Sequence, residues 1–161
     1  MTTTRTDTAT RFIRAPAASI YAAWVSRTAL EHWLPPAGMS GRMTQFDPRP
    51  GGSYRMILTY DDPAVPGKAG DNTDIAVVHY VELVPDRRIV QRVAFDSPDP
   101  AFAGSMTMTW SLDPVPGGTD VTIRCEDVPP GIDAQDHAKG LSSSLDNLAA
   151  YVSKAGPALP G

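Results

Sequence analysis

The side chains best suited to proton exchange near neutral pH are the three histidines, His32, His79 and His137. They stand far apart, with no H-x-x-x-H spacing, and Cys125 is the only cysteine. Metal-ligand spacing and an internal disulfide are therefore both missing, and no metal or other cofactor is expected. His137 and His79 are the candidates for general acid–base work. A half-buried histidine bonded to a strand carbonyl is the more ordinary account of His137. His32 precedes Trp33 on a short helix and is expected to be exposed. G-x-S-x-G, P-loop and G-x-G-x-x-G patterns are absent. Asp61-Asp62 falls in a Pro/Gly-rich stretch and is expected to be solvated.

A second group of side chains suits binding better than chemistry. Trp33, Tyr54, Met56, Leu58, Met106, Met108 and Trp110 recur at strand or helix spacing. Methionine adapts its shape to varied partners, and small-molecule pockets are mostly apolar with a few polar groups. The same spacing also describes plain core.

These residues need elements to position them. Thr8 to Arg14 reads as a strand, with Phe12 available to the core. Pro16 fits the first turn of a short helix carrying Ile20, Ala23 and Trp24. Ser26 or Thr28 caps a second helix carrying Leu30, Trp33 and Leu34, which Pro35-Pro36 stops. Strands are then expected at 39–46, 53–60, 73–84, 88–95, 105–112 and about 121–126. Between 61 and 72, four Pro and Gly residues (Pro63, Pro66, Gly67, Gly70) mark a long connection. In 105–112, Met106, Met108, Trp110 and Leu112 take one face and Ser and Thr the other.

The 73–84 run is apolar on both faces, so alternation alone leaves its facing open. Grouping His79 with Val77, Val81 and Leu83 puts His79 and Val81 among the pocket residues. Asp133 is a plausible N-cap for a long helix from Ala134 to about Ser153, ended by Gly156-Pro157. His137, Leu141, Leu145, Leu148 and Val152 share one face of it. The small residues Gly140 and Ser144 lie on or beside that face and favour empty volume next to it.

Phe46-Asp47-Pro48-Arg49-Pro50-Gly51-Gly52 is the densest turn signal in the chain. It reads as a structural turn in which Arg49 pairs with a carboxylate and the glycines supply positive φ, or alternatively as a polar contact at a ligand mouth.

Three segments carry a family resemblance. Glu31-His32-Trp33-Leu34-Pro35-Pro36 resembles an aromatic-then-proline segment that follows a helical pair. Phe46 to Tyr54 resembles a D-x-R-x-G-G-x-Y signature. Gly117-Gly118-Thr119-Asp120-Val121 resembles a G-G-T-x-V/L hairpin turn. In this order they are similar to the family related to the C-terminal domain of the activator of Hsp90 ATPase, within the START/Bet v 1-like (SRPBCC) superfamily. Its bacterial members include polyketide cyclase-like proteins.

The resemblance covers about Thr8 to Val152 and implies an α+β helix-grip fold. A curved antiparallel β-sheet would wrap around a long C-terminal α-helix, with two short helices between strands one and two. It implies one domain over residues 1–161 with an ordered core of about 8–153. It also implies a cavity between sheet and helix, lined here by Trp33, Tyr54, Met56, Leu58, His79, Val81, Met106, Met108, Trp110, His137, Leu141 and Ser144. Members of the superfamily bind lipids, hormones and aromatic polyketides, and a few catalyse cyclisation or hydration.

Composition bounds the function. A net charge of −4 with scattered basic residues argues against nucleic acid as a partner. No window reaches the roughly 18 apolar residues of a membrane span. The polar opening Met1-Thr2-Thr3-Thr4-Arg5 has no apolar h-region, so the cytoplasm is the expected compartment. The expected role is binding a small hydrophobic or aromatic molecule without a cofactor. The alternatives are a cyclase/dehydratase-like enzyme working through His137 or His79, and a module that interacts with an Hsp90-type chaperone. A homodimer is compatible with all three.

Overall fold

The computed structural model describes residues 5–35, 38–67, 71–95, 99–102 and 104–154. Pro36, Gly70, Ser97 and Gly156-Pro157 lie outside the described residues. The element order is β1 (Thr6–Ile13), α1 (Ala17–Trp24), α2 (Arg27–Trp33), β2 (Met39–Phe46), β3 (Ser53–Tyr60), β4 (Thr73–Val84), β5 (Arg88–Phe95), β6 (Ser105–Val115), β7 (Gly118–Glu126) and α3 (Ala134–Lys154). The strands form one antiparallel sheet in the order β1-β7-β6-β5-β4-β3-β2. This is the α+β helix-grip arrangement that the family resemblance implied.

Local chemistry accounts for the helix starts. Pro16, with extended ψ, is the cap of α1 and not its first residue, one position earlier than expected. Ser26 caps α2, its hydroxyl accepting from the Ala29 N–H. Asp133 caps α3, its carboxylate accepting from the Asp136 N–H at 3.0 Å. Along α3, Leu141, Leu145, Leu148 and Val152 are buried, each contributing roughly 1.5–3 kcal/mol of transfer free energy.

Register decides which face each strand presents. A row of concave-face residues runs Tyr54–Val78–Val93–Met106 across β3 to β6. A second row runs Tyr80–Gln91–Met108–Cys125. These rows put the even-numbered residues of β4 inside as far as Tyr80. His79 and Val81, expected on the cavity side, instead face outward; Val81 is 49% exposed. The physical reason lies in the neighbours: Val78 pairs with buried Tyr54 and Val93, and a bulge between Tyr80 and Glu82 leaves Val81 without a partner. Beyond the bulge the parity reverses, so Leu83 pairs with buried Ile89.

Phe12 is corrected in the same way. The inward residues of β1 are Asp7, Ala9, Arg11 and Ile13, so Ile13 is buried and Phe12 is 43% exposed.

The turn after β2 is structural. Arg49 Nε donates to both carboxylate oxygens of Asp47 at 2.9 Å. The Gly51 N–H donates to the Tyr80 carbonyl, and the Tyr80 N–H to the Gly52 carbonyl, which ties the turn to β4. Positive φ belongs to Gly51 and not Gly52. Gly52 is required for another reason: a Cβ there would collide with the backbone oxygen of Asp47.

Candidate functional site

Helix α3 packs against β1 and the two short helices. The concave face of β3 to β6 is thereby left partly uncovered. Between that face and α3 lies a cleft of about 720 Å³. Trp24, Tyr54, Leu58, Val78, Val93, Met106, Met108 and Trp110 supply its apolar wall, and Ile132 and Leu141 close the helix side. A Cβ placed on Gly140 would meet no heavy atom within 4 Å, so this turn of α3 borders open space.

The deep end rests on three indoles. Trp24, Trp33 and Trp110 pack edge to face, with ring centroids 4.8–5.5 Å apart. Each such pair is worth about 0.5–1.5 kcal/mol beyond its burial. Trp33 donates from Nε1 to the Ala23 carbonyl at 3.0 Å. It sits behind Trp24 and Trp110 and does not line the cleft, contrary to expectation. Met56 also falls in the core and not on the wall, against Gly41, whose missing side chain leaves room for it.

Of the residues expected at the site, the fold thus brings Tyr54, Leu58, Met106, Met108, Trp110, His137, Leu141 and Ser144 together around the cleft. His79 and Val81 are on the opposite face of the sheet, and Trp33 and Met56 are core. Ser144 has a second role: its hydroxyl donates to the Leu34 carbonyl at 3.0 Å and ties α3 to the end of α2.

Several polar residues of the wall were not anticipated. Gln91 is 1% exposed and its Nε2 meets no acceptor. It stands close enough to Tyr54 to favour the phenolate slightly, yet without hydrogen-bond geometry; burial dominates and pushes the Tyr54 phenol well up. Asp74 is 3% exposed and accepts from the Tyr60 hydroxyl at 3.1 Å. Burial first, and the Asp74 charge second, push the Tyr60 phenol up to about 12, so it remains a donor. One signal was available for Gln91 and Asp74: each is a polar residue at a position whose alternation partners (Ile89 and Val93; Ala76 and Val78) face inward.

The mouth of the cleft carries His137. Its Nδ1 lies 2.7 Å from Oδ2 of Asp7 on β1, and Arg5 donates to the same oxygen at 3.1 Å. Burial alone would raise the Asp7 carboxyl, but the bonds from His137 and Arg5 outweigh it and hold the group below the usual carboxylate range. A carboxylate only accepts, so Nδ1 carries the hydrogen. Cys125, beside Asp7 across the β1–β7 pair, is buried, and burial pushes its thiol up to about 12, where it is inert. No group of His, Cys, Asp and Glu among the described residues could hold a metal ion.

Fold and cleft together define a helix-grip protein of the SRPBCC type. The chain belongs to the family described as Activator of Hsp90 ATPase homolog 1-like protein, which it matches over residues 14–153. It is similar to protein CV1439 from Chromobacterium violaceum, with 32% identity and a TM-score of 0.82 over 91% of this chain and 96% of that one. A protein from Arthrobacter aurescens shares the fold at 15% identity, with a TM-score of 0.78 over 96% of this chain and 89% of that one. DynU16, from the dynemicin biosynthetic locus, shares it at 18% identity and a TM-score of 0.68, over 94% of this chain and 48% of the longer one. No curated protein sequence matches the chain. Among the described residues no helix is long and apolar enough to cross a membrane.

Proposed function

We propose that the protein binds a small apolar or aromatic molecule in the cleft between the sheet and α3. The observation that carries this reading is the cleft itself: about 720 Å³, walled by aromatic, methionine and aliphatic side chains. That volume lies within the roughly 300–1,000 Å³ typical of small-molecule sites. The two methionines allow the wall to adjust to the shape of its guest. The open space beside Gly140 is not needed for packing.

The test is a titration with a neutral solvatochromic dye, followed by dye emission and by tryptophan quenching, since Trp24 and Trp110 line the site. Saturable binding of one dye per chain with matched quenching supports the reading. Absence of saturable binding refutes it. Native mass spectrometry of protein purified from its own host would then identify a retained molecule.

A specific observation favours a second reading, an acid–base enzyme of the cyclase or dehydratase type. His137 lines the cleft and has its Nδ1 hydrogen held by Asp7. In the neutral ring that bond keeps the hydrogen on Nδ1 and leaves Nε2 as the acceptor a general base requires. Unchanged recovery of every bound compound would favour the carrier. A chemically altered product whose formation depends on His137 would favour the enzyme.

A further inference from the structure

The deep end of the cleft holds polar hydrogens that no protein group receives. Nε2 of Gln91 and the indole Nε1 of both Trp24 and Trp110 are buried without an acceptor, and all three residues line the cleft. They are neighbours. The β5–β6 register pairs Gln91 with Met108 and Ile89 with Trp110, so Gln91 and Trp110 are diagonal on the concave face. The Trp24 and Trp110 rings are 4.8 Å apart.

Native interiors seldom leave a buried donor unpaired, because its desolvation goes uncompensated. An indole N–H is a donor only. Whichever way the Gln91 amide is turned, this end of the cleft therefore has an excess of donors.

Charge narrows the guest further. The lining includes three carboxylates, Asp74, Asp133 and Asp136, against one ammonium, Lys139. None of the three donors is cationic. An anionic guest would meet net repulsion on entry and no counter-ion at depth.

We propose that Gln91, Trp110 and Trp24 form a subsite for a neutral acceptor oxygen, such as a ketone or amide carbonyl, at the leading end of an otherwise apolar ligand. The proposal rests on the reading of the cleft as a ligand site and specifies what that ligand carries. The three nitrogens are closed off in the unliganded wall, so the oxygen reaches them by displacing side chains. Met108, the cross-strand partner of Gln91, and Met106 are the unbranched neighbours that can yield. Gln91 is then, with the two indoles, one of the donors that distinguish a carbonyl compound from a hydrocarbon of the same shape.

The experiment compares acetylnaphthalene with isopropenylnaphthalene, a planar isostere lacking the oxygen, and with the anion naphthoate, each displacing the neutral dye from the full chain. The ketone should bind about tenfold tighter than the hydrocarbon, the size of one net hydrogen bond. Naphthoate should bind more weakly than the ketone. In Gln91→Met, which keeps length and removes one of the three donors, the ratio of ketone to hydrocarbon affinity should fall severalfold. Should that variant fail to fold, the parent gives an independent readout by NMR: the indole N–H resonances of Trp24 and Trp110 should lie downfield in the ketone complex relative to the hydrocarbon complex, in which ring currents alone move them.

Equal affinities, with the indole N–H resonances alike in the ketone and hydrocarbon complexes, would overturn the subsite and leave the cleft reading intact. So would a ketone preference undiminished in Gln91→Met, or naphthoate binding the tightest. Binding of neither the dye nor any naphthalene would overturn both.

Discussion

Nδ1 of His137 donates to Oδ2 of Asp7 across 2.7 Å, joining the first strand to the first turns of the last helix over 130 positions of sequence. Arg5 grips the same carboxylate oxygen from the other side. The contact holds α3 against β1 at the mouth of the cleft and presents the imidazole to it. Further along the same pair of elements, Arg11 meets Asp146 at 3.3 Å, but that pair is exposed and contributes little.

The Asp7 carboxylate should therefore stabilise the fold in a pH-dependent way. Its pKa is lower in the folded chain, so its contribution is present above the unfolded value of about 4 and fades as pH falls through the folded value. Asp7→Asn should cost on the order of 2 kcal/mol at pH 7, the scale of a charged hydrogen bond. Urea midpoints of parent and variant should differ at neutral pH and draw together as pH is lowered below about 4, through the folded pKa of Asp7. A gap that stays constant over that range would show that the charge is not its source.

Gly140 gives a cleaner probe of the cleft than Ser144, because Ser144 also anchors α3 to Leu34. In Gly140→Leu the new side chain enters open space, and helix propensity gains up to about 1 kcal/mol. The melting temperature should hold or rise while neutral-dye affinity falls at least about tenfold. Undiminished dye binding in a folded variant would move the site elsewhere.

The turn after β2 should matter to folding and not to binding. Gly52→Val drives a branched side chain into the Asp47 carbonyl, and Gly51→Ala places a Cβ at φ +83°. The first should lower the melting temperature by several degrees or more, and the second by less, at about 1–2 kcal/mol. Dye affinity of the folded molecules should not change in either. Lost affinity at an unchanged melting temperature would instead make this turn part of the ligand mouth.

Chaperone activation, which the family description names, is expected to be absent. The apolar face of α3 is consumed by the core, and the large hydrophobic side chains exposed among the described residues are Phe12 and Val81. Stable association usually needs about 1,200–2,000 Å² of buried surface. In a steady-state ATPase titration with a bacterial Hsp90 homologue, micromolar protein should leave turnover unaltered. A saturable rise that disappears on charge reversal along the outer face of α3 would establish the co-chaperone role.

The sequence by itself determined the elements and their order. Alternation in Met106, Met108, Trp110 and Leu112 named the inward face of β6, because over 105–112 the opposite face is Ser and Thr throughout. Asp133, Ser26 and the Pro/Gly turns marked their boundaries through local hydrogen bonds and allowed φ, which need no distant partner. Three short motifs in order were enough to indicate the family.

Tertiary structure alone decided the rest. The facing of β4 could not be read from a run apolar on both sides; pairing of Val78 with Tyr54 and Val93 set it, and the bulge at Val81 reversed it. Whether an inward aromatic became wall or core depended on what stood in front of it, which is why Trp110 lines the cleft and Trp33 does not. The Asp7–His137 pair and the unpaired Gln91 donor are likewise relations between distant segments. Periodicity reports which side of its own element a residue occupies. Which partner waits on that side is decided only when the sheet closes against the helix.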